Sequence, residues 1–183
     1  MKKFLQHMIM QWICLLLTGS LILFCCACQE RSIPNVTSAD VLKAMLSEAA
    51  VIDGKLYQMT TGEEPERISE ELFKALYGET AVSIWKRSDT TVEDGAIYLS
   101  EIMHPFELAV FRCIGEDEMW GDAGVIGICA SRLESIKKAW KGSAYEKIAD
   151  QGIVTYCENY VLLVIAEDAE SIINAAKRRI REK

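Results

Sequence analysis

An α+β fold with one antiparallel sheet is predicted for this chain, because its C-terminal half twice repeats two β-rich runs followed by an amphipathic helix. The first pair of runs is Ala96–Met103 and Phe106–Cys113, joined at His104-Pro105. The second is Ile153–Cys157 and Tyr160–Ala166, joined by the two-residue turn Glu158-Asn159. Two such ββα units laid side by side give a sheet of about four strands with helices packed on one face. Two additional N-terminal helices, both before Gly78, are placed over an edge or the remaining apolar surface.

Along the chain, Thr37-Ser38-Ala39-Asp40 offers capping oxygens for a helix through about Ala50. Leu42, Met45, Leu46 and Ala49 share one face of it at three- and four-residue spacing. Asp53-Gly54 is a turn, and Leu56–Met59 a brief extended piece. Thr60 to Arg67 is acidic and turn-rich, and reads as a loop. Ser69 caps the next helix, Glu70 and Glu71 sit where its dipole favours anions, and Gly78 supplies its stop. Ala81–Trp85 reads equally as a short strand or a buttressing loop, and Ser88–Gly95 as an exposed polar stretch. A long helix is predicted from about Met119 to Lys141, and a last one follows Asp168, with Ile172, Ile173, Ala176 and Ile180 aligned.

The N-terminus carries a different message. Lys2 and Lys3 precede a segment, Met8 to Ala27, without an acid or a base, and a crowded Cys25-Cys26-Ala27-Cys28 closes it. Charged head, apolar middle and small-residue end are the order of a bacterial export leader. The cysteine after Ala27 favours the lipoprotein form, with Cys28 as the lipidated residue. An uncleaved anchor is the rival, since about 20 apolar residues span a bilayer. Both forms keep the lysines on the cytoplasmic side and put the folded body outside. The predicted organisation is therefore 1–28 leader or anchor, 29–37 tether, and 38–183 a single domain.

Without residues 1–27 the chain keeps 18 bases against 27 acids, near −9 where the full chain is −7. That charge repels polyanions, and apart from the C-terminal run Lys177 to Lys183 there is no basic stripe, so nucleic acid is not expected as a partner. Cys113, Cys129 and Cys157 are the body's thiols. Their spacing fits no metal-ligand pattern, and buried free thiols are favoured over a disulfide.

Four stretches carry a resemblance: Leu72–Gly78; Pro105–Phe111; Arg132-Leu133-Glu134-Ser135 followed by Tyr145; and Asn159–Leu163. In their order they resemble an uncharacterised lipoprotein family of Gram-positive bacteria, known only as a domain of unknown function. The likeness runs from about Ala39 to the end. It implies an outer-face location and one α+β domain, and it brings no catalytic residues. Members commonly have glycine where this chain has Glu158.

Catalytic motifs are missing. There is no Gly-x-Ser-x-Gly, no His-Glu-x-x-His and no phosphate loop. Gly121, Gly124 and Gly127 do not have the spacing of a dinucleotide fingerprint, and the acidic groups Glu63-Glu64-Glu66 and Glu116-Asp117-Glu118 lack the alternation of a calcium loop. No cofactor and no metal is expected. His104, the one histidine outside the leader, reads first as a turn residue. Arg132 and Tyr145 are the other residues singled out for partner contact, Arg132 because its long cationic side chain can reach an acidic partner at the sheet edge, and Tyr145 as an anchor for the segment after Gly142. The leading expectation is a non-catalytic binding or assembly module tied to the membrane by its lipid, with an unknown envelope protein or ligand as partner. An envelope enzyme or enzyme accessory acting on wall material would need His104, Glu107 or Arg112 to line one cleft. A small-ligand sensory domain would need a cavity between sheet and helices.

Overall fold

A computed structural model describes residues 36–50, 52–59, 67–86, 92–115, 119–120 and 124–182. The segment predicted as leader or anchor, with Cys28, most of the predicted tether, the two acidic groups and Gly121 lie outside these residues. Contacts set Met1–Ile33 apart from Pro34–Lys183, and the fold described is that of the second unit.

The order of elements is α1 (Ser38–Glu48), β1 (Gly54–Gln58), α2 (Glu70–Tyr77), α3 (Glu79–Lys86), β2 (Val92–Ser100), β3 (Glu107–Cys113), α4 (Val125–Trp140), α5 (Glu146–Asp150), β4 (Ile153–Cys157), β5 (Tyr160–Ile165) and α6 (Ala169–Arg181). One antiparallel sheet has the order β1-β2-β3-β5-β4, so the α+β class holds. The two predicted hairpins lie side by side, with β3 against β5 at the centre. Gly54–Gln58 adds a fifth strand along β2.

Why the helices divide between two faces follows from β5. All six of its residues are buried, so neither face of that strand can be left to water. Val161, Leu163 and Ile165 pack with Phe73, Ile128 and Leu133 from α2 and α4. Tyr160, Leu162 and Val164 pack with Leu42, Met45 and Ile172 from α1 and α6. The expected single helical layer is thus two layers, α2 with α4 on one face and α1 with α6 on the other.

Local chemistry sets the element ends. Thr37 and Ser69 cap α1 and α2 through their hydroxyls, as their sequence positions predict. The segment Ala81–Trp85 is neither strand nor loop but lies in α3, which starts directly after the left-handed Gly78 (φ +89°). The long helix begins at Val125 rather than Met119, with Gly124 as its N-cap. Ser88–Gly95 is only partly an exposed loop, because β2 already begins at Val92 and Asp94 is buried. The Asp94 carboxylate accepts the Ser38 amide at 2.7 Å, and the Ser38 hydroxyl donates to the Asp94 carbonyl. An anion from another element therefore sits on the free amides of α1, where the helix dipole favours it. Gly95 allows Met59 to lie on the sheet: a Cβ there would stand 2.3 Å from the Met59 sulfur.

The turn between β4 and β5 puts Glu158 at φ +52°, in the left-handed region. A side chain costs about 1–2 kcal/mol there, and glycine avoids that cost. Glu158→Gly is expected to stabilise the domain by about 1 kcal/mol after its own entropy loss, measured as a rise in the urea midpoint at unchanged slope.

Candidate functional site

Two polar arrangements stand out, and they do different things. The first is interior. Glu107 opens β3 with its side chain on the α2/α4 face and is 2% exposed. Arg132, from α4, donates to Glu107 Oε2 through Nε at 3.0 Å and Nη2 at 2.6 Å. Tyr77, the last residue of α2, donates its hydroxyl to Oε1 at 2.9 Å. Both carboxylate oxygens are occupied, which a buried charge requires. Burial opposes the charge on Arg132, but Glu107 more than compensates and the guanidinium pKa is raised. Burial also pushes the Tyr77 phenol well above its ordinary value, and the Glu107 charge adds to this. Phe73, Tyr77 and Phe111 stack around the group. This is a clamp tying α2, β3 and α4 together.

The second arrangement is at the surface, at the end of the sheet where β2 stops and β3 starts. The connection Glu101–Phe106 folds back there. The Ser100 hydroxyl donates to the Ile102 carbonyl, and the Phe106 amide donates to His104 Nδ1 at 3.1 Å. That bond leaves Nε2 as the donor nitrogen of the neutral ring. The His104 ring meets the Tyr145 ring at 4.5 Å between centroids, and Tyr145 meets Trp140 at 5.6 Å, both edge-on. Tyr145 holds the N-cap position of α5, a helix absent from the sequence reading. Beside this stack, Ile102 is exposed and Met103 is 89% exposed. A hollow of about 280 Å³ opens next to them, lined by Ala50, Ile52, His104, Phe106, Ile148, Ala166, Glu167, Asp168 and Ile172. Its volume lies just below the range of small-molecule sites, about 300–1,000 Å³, and suits one or two side chains of a partner. Burial lowers the His104 pKa, with Glu167 pulling the other way, so the ring is neutral at pH 7.

The three residues singled out from the sequence therefore part company. His104 and Tyr145, far apart in the chain, are brought into contact at the tip, whereas Arg132 spends its guanidinium inside the domain on Glu107. Ile102 and Met103, predicted as the end of a strand, lie in the β2–β3 connection; the signal for a tip is their place between Glu101 and His104-Pro105, where a proline disfavours continued pairing. Glu107 and Arg112 point to opposite faces of β3. Glu107 meets the α2/α4 side, while Arg112 alternates with it and reaches Glu93 at 3.4 Å. The shared cleft that an enzyme reading requires is not assembled from them. Between sheet and helices, the gap lined by Met59, Phe73 and Val125 holds about 10 Å³, no more than a water sphere. Among the described residues no group of three metal-binding side chains occurs, and no helix is long and apolar enough to cross a membrane.

The chain matches no protein-family model, no curated protein and no solved structure. The likeness to the lipoprotein family thus rests on the four sequence stretches alone.

Two predictions arise from the interior. Arg132→Met alone is expected to cost about 3–5 kcal/mol, because it strands a buried carboxylate, whereas joining it to Glu107→Leu and Tyr77→Phe should recover most of that loss. Chemical denaturation of the single and triple variants checks this. Cys113, Cys129 and Cys157 form no disulfide and are buried, and burial followed by the Glu107 charge drives the Cys129 thiol pKa far up. Native protein is expected to leave all three unalkylated, and denatured protein to react at all three, as read by peptide mass spectrometry.

Proposed function

We propose that this chain is a non-catalytic binding or assembly module of the bacterial envelope, lipidated at Cys28 and held on the outer face of the cell membrane. Support for the location comes from the leader: Lys2 and Lys3, the uninterrupted apolar segment, and a cysteine directly after Ala27. Membership of the uncharacterised lipoprotein family belongs to the same proposal, and its support is the ordered set of four stretches.

The observation that carries the binding reading is the tip. Ile102 and Met103 stand in water next to a histidine–tyrosine–tryptophan stack that fixes the local backbone. Exposed apolar side chains on a rigid base, beside a hollow, are the composition of a contact surface. The partner is an envelope protein that inserts an apolar side chain beside His104 and a hydrogen-bonding group toward Glu167 or Asp168. The acidic rim of the hollow favours a neutral or basic segment.

A photo-crosslinking residue at Met103 is expected to yield a specific adduct in intact cells, and one at exposed Lys43 on α1 is not. Tyr145→Ala should weaken that adduct about tenfold or more while leaving the unfolding free energy within about 1 kcal/mol of wild type. Equal adducts from both positions would remove the tip as the binding surface. Retained fatty-acid labelling in Cys28→Ala would remove Cys28 as the anchor.

A further inference from the structure

A second exposed apolar group lies at the other end of the sheet. Ile114 directly follows β3 and is 49% exposed; Tyr156, near the end of β4, is 47% exposed; Trp120 is 52% exposed and meets the Tyr156 ring at 5.0 Å. The strand register puts all of this opposite the His104 tip. Val92 pairs with Cys113, and Cys113 exchanges bonds with Asn159, whereas Leu99 pairs with Glu107 and Glu107 with Ile165 at the far end.

The chain also enters the domain at this same end. The Tyr160 hydroxyl, at the start of β5, donates to the Val36 carbonyl, and Ser38 is bound by Asp94 near the start of β2. From Cys28 to Val36 there are eight residues, which reach at most about 28 Å when fully extended. β2 alone, with nine residues, is about 30 Å long at ordinary strand rise. An anchor at Cys28 can therefore bring the Val36 end down to the bilayer freely. It can bring the His104 end there only with the tether stretched to its limit.

We infer that the end carrying Ile114, Trp120 and Tyr156 rests on the interface of the bilayer that holds the anchor, and that the His104 tip is thereby presented outward. This rests on the anchored reading above and adds an orientation to it. Tryptophan and tyrosine suit that position, because their rings are apolar and their N–H and O–H remain hydrated at headgroup depth. Glu93 and Glu158 flank the same end, so the contact is made through apolar burial rather than attraction to anionic lipid. Two weak terms, one anchor and one apolar patch, combine because the tether keeps the patch at high local concentration.

The test uses the chain lipidated at Cys28, without residues 1–27, in phosphatidylcholine vesicles with brominated acyl chains, which quench only nearby tryptophan. One variant keeps Trp120 and replaces Trp85 and Trp140 by Phe; the other keeps Trp140 and replaces Trp85 and Trp120. Quenching at Trp120 is expected to exceed that at Trp140 by about twofold or more. Equal quenching, or more at Trp140, overturns the orientation. So does a Trp120 shielded from acrylamide but untouched by bromolipid, which assigns the patch to a second copy. Co-flotation separates the two failures: a chain that does not float with vesicles refutes the anchoring itself, and a floating chain with unquenched Trp120 refutes only the orientation. Where the Phe variants do not fold, the lipidated chain with Trp85, Trp120 and Trp140 all present is read instead. There Ile114→Glu should lower quenching and Met103→Glu should not, and the reverse pattern overturns the inference.

Discussion

The double-sided burial of β5 is the constraint from which the rest of the architecture follows. A strand with six buried residues at the centre of an antiparallel sheet needs apolar cover above and below. Antiparallel sheets often leave one face to solvent, but only when the strands alternate apolar and polar. Here Tyr160 to Ile165 does not alternate, and neither does β3, where Leu108, Ala109, Val110 and Phe111 are all buried. Each face is therefore closed by its own pair of longer elements, α1 with α6 on one side and α2 with α4 on the other. The burial of a full side chain is worth about 1.5–3 kcal/mol, so a central strand left half open would forfeit much of a domain's net stability.

On the α2/α4 side the closure includes a charge. Glu107 is at a sheet end, yet too deep to be hydrated, and it is made tolerable by a guanidinium and a phenol from two different helices. Such a group contributes little net stability compared with apolar packing of the same volume, but its removal in part is expensive. It fixes which helices meet over β3. On the α1/α6 side the corresponding polar device is Asp94, which caps α1 from the neighbouring strand, with the Tyr160 hydroxyl holding Val36 just upstream. These two bonds determine where the chain enters the domain, at the end of the sheet that carries Ile114 and Tyr156.

Exposed apolar groups divide between the two ends of the sheet. The end where β2 stops and β3 starts has an aromatic stack, exposed Ile102 and Met103, and an acidic hollow. The opposite end has Ile114, Trp120 and Tyr156. In the interior, both oxygens of Glu107 are occupied by Tyr77 and Arg132.

Much of this was legible in the sequence. Strand pairs were readable because β-branched and aromatic runs flanked short turns, and the caps at Thr37 and Ser69 because hydroxyls preceded periodic helices. Coverage of both faces was also written in the unbroken apolar run Tyr160–Ala166, although element order alone pointed to a single layer. The uncharged apolar segment Met8 to Ala27, the acidic balance and the spacing of motif residues are properties of composition and order, which need no fold to be read. Three things were decided only in tertiary structure. Asp94 looked like loop charge, because a carboxylate's burial depends on a helix N-terminus supplied by residues far away in the chain. Arg132 looked available to a partner, because its acceptor Glu107 is 25 positions distant. His104 and Tyr145 carried no common signal at all; contact between them arises because β3 pairs with β5 and thereby brings the β2–β3 connection against the segment before α5. Local periodicity is set by neighbours in the chain and is visible there, whereas a polar side chain's partner is chosen by the fold.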